Sequence, residues 1–189
     1  MTVANPLDPP TVLGRPWMID DLHALPDRGY RYEIFDGSLL VTPPPALPHA
    51  SVLYRLRRLL ERQAPAALAF VESIGVYPND TNYYIPDMVL IPLPVLDGEG
   101  QGVSPDDVLL AIEVVSPSNP GNDHVLKRHA YAVAGIREYW IVDERDHTLR
   151  VLTPGEHGGG YVERAVIRPG ETWRSEEPFP LEVDPGELF

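Results

Sequence analysis

A single-domain, mixed α/β fold is predicted for this 189-residue chain by three observations. Short apolar runs of strand length alternate with two longer stretches at helical spacing, His49 to about Gln63 and Asn122 to Ala134. Prolines and turn dipeptides punctuate the strands, and no segment repeats. The length suits one domain burying about 70% of its unfolded-chain surface.

In chain order, residues 1–16 are proline-rich and are expected to form a flexible segment ahead of one domain over 17–189. Met18 to Leu25 spaces Ile19, Leu22 and Leu25 as a short helix, which Pro26-Asp27 ends. Tyr30 to Thr42 reads as a hairpin turning at Asp36-Gly37. Pro43 to Pro45 breaks the sheet. The stripe Val52, Leu53, Leu56, Leu59, Leu60 then marks an amphipathic helix. Leu68 to Val76 and Tyr83 to Pro92 read as strands, and Pro94 to Pro105 as an acidic loop. Val108 to Val115 is apolar on both faces except at Glu113, as a central strand should be. Ser116 to Gly121 turns into the helix Asn122 to Ala134, which Gly135 stops. Glu138 to Asp143 and Thr148 to Pro154 form a second hairpin, followed by strands Tyr161 to Ile167 and Leu181 to Val183.

Composition narrows the function. With no cysteine there is neither a disulfide framework nor a thiolate metal site, which fits a reducing cytoplasm. No basic-then-apolar leader is visible at the N-terminus, and no apolar run approaches the ~18 residues of a membrane span. A net charge of −13 argues against a nucleic-acid partner, but the charge is unevenly spread. Glu171 to Phe189 carries a net −5, whereas Ala50 to Gln63, with Arg55, Arg57, Arg58 and Arg62 against Glu61, carries +3. That basic stretch is either a solvated helix face or a face for phosphates.

The chemistry lies in polar residues that interrupt apolar runs. Asp87 stands in Ile85-Pro86-Asp87-Met88-Val89-Leu90-Ile91, and Glu113 in Val108-Leu109-Leu110-Ala111-Ile112-Glu113-Val114-Val115. An unpaired charge inside a sheet costs several kcal/mol, so each acid needs a cation, hydrogen bonds or a metal. Two such acids on neighbouring strands repel unless a hard cation sits between them, and Mg²⁺ (or Mn²⁺) suits oxygen ligands. The Val114 carbonyl, beside Glu113, is a further candidate ligand. Lys127 is the one lysine against fourteen arginines. A lysine amine can be tuned where arginine stays charged. It shares a helix face with Asp123 and Tyr131, four residues away on either side. It is therefore either half of a surface pair with Asp123 or an amine aimed at a reacting water.

Taken in order, these residues carry a resemblance. Tyr32-Glu33-Ile34-Phe35-Asp36-Gly37 comes first, then His49 opening a helix, then Pro86-Asp87. Ile112-Glu113-Val114-Val115-Ser116-Pro117-Ser118, Asp123 to Lys127, Tyr131, Gly135 and Glu138-Tyr139-Trp140 follow. The ordered set, from about Pro16 to Phe189, resembles the bacterial Uma-two family of restriction-endonuclease-like proteins, a branch of the PD-(D/E)XK nuclease superfamily. The resemblance implies a mixed central sheet flanked by helices, with added hairpins and a divalent metal at the strand ends. Asp87 matches the PD aspartate and Glu113 the second acid. The superfamily's lysine two residues later is here Val115, and Lys127 matches a lysine moved to the following helix. Glu33 matches a further acidic position and His49 a recurrent histidine at a helix start.

Plainer readings stand beside these. Glu33 would also serve as an exposed hairpin residue paired with Arg31, and His49 as a solvent-facing helix start. Tyr131 and Trp140 suit a core. The expectation is a metal-dependent endonuclease acting on DNA, with Asp87, Glu113 and the Val114 carbonyl on the metal. Lys127 and Glu33 assist, and His49, Arg55 and Arg58 are candidate substrate contacts. A homodimer is a candidate assembly. The alternatives are a catalytically silent binding or scaffold protein on the same fold, and a hydrolase of small phosphoesters that would lack a phosphate-cradling glycine loop.

Overall fold

The computed structural model describes residues 14–100, 102–115, 121–156 and 159–189, without the side chains of Asn122 and Asp123. The expected flexible segment thus lies almost wholly outside the described residues, as does the predicted turn Ser116 to Gly121 up to its last residue. Among the described residues, two sheets, three α-helices and a terminal ribbon make up the fold.

Helix α1 (Ile19–Leu22) precedes the hairpin β1 (Arg31–Phe35) and β2 (Ser38–Thr42). Asp36 and Gly37 both take positive φ, 46° and 72°, the combination that the right-handed twist of a two-residue hairpin favours. α2 (Leu47–Glu61) follows, opening two residues earlier than the apolar stripe suggests, with Pro48 in its first turn.

The two apolar runs read as single strands are each divided. Leu68 to Val76 contributes β3 (Leu68–Glu72) and β4 (Gly75–Asn79), and Tyr83 to Pro92 contributes β5 (Asn82–Tyr84) and β6 (Met88–Pro92). β3 and β6 belong to the larger sheet, β4 and β5 to the smaller. The chain crosses between sheets at Ser73, which takes φ 53°, and recrosses at Ile85-Pro86-Asp87. Pro86 has no amide hydrogen for a ladder, so pairing lapses there. The expected acidic loop holds a 3₁₀ turn (Leu93–Asp97) and the short β7 (Gly102–Val103).

β8 (Leu110–Val115) is buried along its whole length. A π-helical turn (Asn122–Lys127) runs into α3 (Arg128–Val133), so the predicted helix is present but changes type midway. β9 (Tyr139–Asp143), β10 (Thr148–Pro154) and β11 (Tyr161–Ile167) complete the larger sheet. β12 (Trp173–Ser175), unforeseen in the sequence, pairs with β13 (Leu181–Val183).

The larger sheet runs β11-β10-β9-β8-β6-β3, antiparallel except between β8 and β9. A parallel pair needs a crossover, and the π turn with α3 supplies it. The smaller sheet runs β2-β1-β5-β4-β7. One face of the larger sheet packs under α2 and the C-terminal segment, joining Leu56 and Leu60 to Ile112, Trp140 and Leu181. The other face packs under α3 and the smaller sheet, joining Ala111, Val115 and Tyr139 to Tyr131, Tyr84 and Phe35. Glu113, between Ala111 and Val115, points to this second face because side chains alternate along a strand.

Candidate active site at the strand ends

Met88 pairs with Ile112 in the β6–β8 ladder, and one further step places Asp87 opposite Glu113. Directly opposed residues of antiparallel strands share a face, so both acids project to the same side at the end of β6. They are 3% and 1% exposed, which makes their compensation the central question.

Asp87 is held from three directions. One oxygen accepts from Arg31 Nη1 at 2.7 Å; the other accepts from the Val114 amide at 2.9 Å and lies 3.3 Å from His49 Nε2. Burial alone would raise its pKa, but His49, Lys127 and Arg31 outweigh burial and hold the carboxyl far below the usual range. Burial likewise opposes charge on His49, and Asp87 outweighs it, so the imidazole pKa lies above its ordinary value. The other His49 nitrogen lies 3.9 Å from Glu144, whose pKa burial raises.

Glu113 accepts from the Tyr131 hydroxyl at 2.6 Å and pairs with Lys127 Nζ at 2.9 Å. Tyr131 is wholly buried, and burial and then the Glu113 charge keep its phenol protonated as a donor. It is fixed edge-on by Tyr139 at 5.2 Å between ring centroids and at a tilt by Tyr84 at 5.5 Å. Glu33 reaches the cluster from β1, accepting from the Ile85 amide at 2.9 Å and lying 3.8 Å from Lys127 Nζ. At 1% exposure it is no surface hairpin residue, and burial raises its pKa despite Lys127. His49 is 6% exposed, so the solvent-facing reading fails there too.

Lys127 therefore stands between two carboxylates and is itself buried. Its surface pairing with Asp123 concerns a side chain outside the described residues. Lys127 closes the π turn, a wide helical turn common at functional sites, and Tyr131 follows four residues later in regular helix.

The Val114 backbone bears on metal binding. An extended residue directs its N–H and C=O to the same edge, and the Val114 N–H meets Asp87. By the β6–β8 register the ladder partner of Val114 would be Pro86, which has no hydrogen to offer that carbonyl. The donor set at this edge, two carboxylates and a carbonyl without a donor from β6, fits a hard divalent cation. Among the described residues no three His, Cys, Asp or Glu side chains stand close enough to hold a metal by themselves.

The structure thus brings together Glu33, His49, Asp87, Glu113 and Lys127. Arg55 and Arg58 stand apart on the outward side of α2, where Arg55 meets the Leu188 carbonyl at 3.5 Å and Arg58 the Tyr54 hydroxyl at 3.4 Å. Three further participants were missed: Arg31, Tyr131 and Glu144. Alternation placed Arg31 on the Glu33 face, and helical spacing placed Tyr131 over Lys127, so two of the three had a signal.

Buried acids interleaved with lysine, arginine and histidine at the ends of adjacent strands in a mixed sheet define a nuclease-like fold with an ionic site. The family model described as "Putative restriction endonuclease", Uma2, matches residues 19–185. The chain belongs to the Uma2 family. Among solved structures, a "putative nuclease belonging to DUF820" from Anabaena variabilis superposes with a TM-score of 0.71 at 16% identity, covering 92% of this chain and 98% of that one. No functionally curated protein matches significantly. No helix among the described residues is long and apolar enough to cross a membrane.

Proposed function

We propose that the protein is a divalent-metal-dependent endonuclease that hydrolyses DNA phosphodiester bonds. The single observation behind this reading is the opposition of Asp87 and Glu113 on one face, with the Lys127 amine on Glu113. Asp87, Glu113 and the Val114 carbonyl would hold Mg²⁺ or Mn²⁺. When bound, such a cation supplies Lewis acidity to a phosphoryl oxygen and lowers the pKa of water.

The chain's own groups then have distinct tasks. Tyr131 holds Glu113 in one rotamer through a 2.6 Å hydrogen bond. Lys127 brings a buried positive charge to where the attacked phosphate gains negative charge, an effect strengthened by low local dielectric. Glu33 steadies the lysine from the opposite side. His49 and Arg31 hold Asp87 ionised, and they are the cations that would meet a phosphate at this edge. Arg55 and Arg58 would contact the flanking backbone only along a strand lying across α2.

A binding or scaffold role is favoured by one specific observation. Arg31, His49 and Lys127 already pair with the acids, so the fold tolerates them without a metal. Nicking of supercoiled plasmid at low salt separates the readings. Wild type should nick with Mn²⁺ and stop with EDTA, and Asp87→Asn should lose at least about a hundredfold in rate, comparable to removing a main electrostatic contributor. A wild type inert on duplex and single-stranded DNA with both metals would leave the scaffold reading.

A further inference from the structure

A pocket of about 250 Å³ adjoins the acid cluster and shares Arg31 and Ile85 with it. Its walls are aromatic, formed by Tyr30, Tyr32, Tyr77 and Tyr83, and α1 closes one side. Tyr77 and Tyr83 touch at 4.9 Å between centroids. They rest on Gly102 and Gly75, which pair across β4 and β7, and a Cβ at either glycine would run into the ring above it. The Tyr32 hydroxyl is tethered to the Pro26 carbonyl at 3.0 Å. These rings are therefore seated against the backbone.

At the inner end Arg31 donates Nη1 to Asp87, while its buried Nε finds no acceptor among the described residues. A buried donor without an acceptor is unfavourable, and an anion at this end would relieve it. Rings that stack on a planar group and a guanidinium with one N–H still unmatched are the two halves of a nucleotide site.

We propose that this pocket receives one unpaired base of single-stranded DNA, stacked on the tyrosines, while Arg31 holds the adjoining phosphate beside the acid cluster. The inference rests on the nuclease reading and narrows its substrate to unpaired strands. Aromatic faces accept every base, so the pocket selects for strandedness and not for sequence. Its volume falls below the roughly 300–1,000 Å³ of drug-sized sites and suits one ring system, not a base pair. A duplex would first have to open, which is unfavourable. The net charge of −13 repels phosphates over distance, so the phosphate contact is confined to Arg31 and weakens with salt.

The test is fluorescence anisotropy with a labelled thymidine decanucleotide and a blunt hairpin duplex, titrated with the full chain at low salt in EDTA. Wild type should prefer the single strand. Tyr77→Ala should weaken that binding about tenfold or more, the range one stacked base contributes. Tyr77→Phe should restore it. Should Tyr77→Ala fail to fold, Tyr30→Ala gives the same comparison from another wall. Unchanged affinity in a folded alanine variant, or duplex bound as tightly as single strand, overturns the proposal. A protein that binds single strands through Tyr77 yet never cuts keeps the pocket and loses the nuclease reading. One that cuts duplex as fast as single strands, with Tyr77→Ala unimpaired, does the reverse.

Discussion

Asp87 is ionised by design of its neighbours, and that has a measurable consequence for stability. Its folded pKa lies below the unfolded value of about 3.9, so its contribution is complete above that pH and is lost as the pH falls through the folded value. Asp87→Asn leaves the Arg31 and His49 charges facing a neutral amide. Breaking a buried pair in this way costs about 3–5 kcal/mol. The gap between wild type and variant in urea unfolding should be widest near neutrality and shrink towards about pH 3. A gap independent of pH would mean that the Asp87 charge does not support the fold. Asp87, Glu113 and Lys127 were legible as residues because each breaks an apolar or arginine-only pattern. Their partners were less so. Arg31 is one of fourteen arginines, marked only by its alternation with Glu33. Glu144 became visible only once β9 brought its end beside α2.

At the scale of elements, the hairpin β1–β2, the helix α2, the central β8 and the hairpin β9–β10 follow their sequence patterns because each has a local cause: a turn dipeptide, an apolar stripe, a continuous apolar run. The divided strands show where local pattern stops informing. After Glu72-Ser73, Gly75 and Val76 resume the apolar run of β3, and only tertiary pairing reveals that they belong to another sheet. The π turn was equally silent, since its residues fit an ordinary helix. Gly75 marks one division physically. Added bulk there meets the Tyr83 ring, and overpacking of this kind costs about 1–3 kcal/mol. Gly75→Ala should lower the urea midpoint accordingly and loosen the smaller sheet around Tyr83. A neutral substitution would show that β4 and β5 have slack that the packing does not suggest.

For the molecule as a whole, the two sheets meet where Glu33 from one and Asp87 and Glu113 from the other converge on Lys127 and Arg31. The acidic C-terminal segment lies elsewhere. It packs on α2 through Leu181, Val183 and Leu188, and the Gln63 side-chain amide donates to the Glu182 carbonyl at 2.9 Å and accepts from the Glu182 N–H at 2.8 Å. Glu187 shares a small pocket with Arg55, Arg58 and Arg62, so part of the basic helix face sits beside the chain's own acids. This sets a carboxylate of the acidic tail beside part of the positive charge of α2. It also concentrates the functional question on the cluster between the sheets.

That cluster is claimed to act as one unit, and a double-mutant cycle in plasmid nicking with Mn²⁺ tests the claim most directly. Residues that act together lose activity together, so once one is gone, removing another adds little. Glu113→Gln and Lys127→Ala should each nearly abolish nicking in folded protein, and the double variant should be no slower than either single one. Wild-type nicking that survives Lys127→Ala, or losses that multiply in the double variant, would contradict the account.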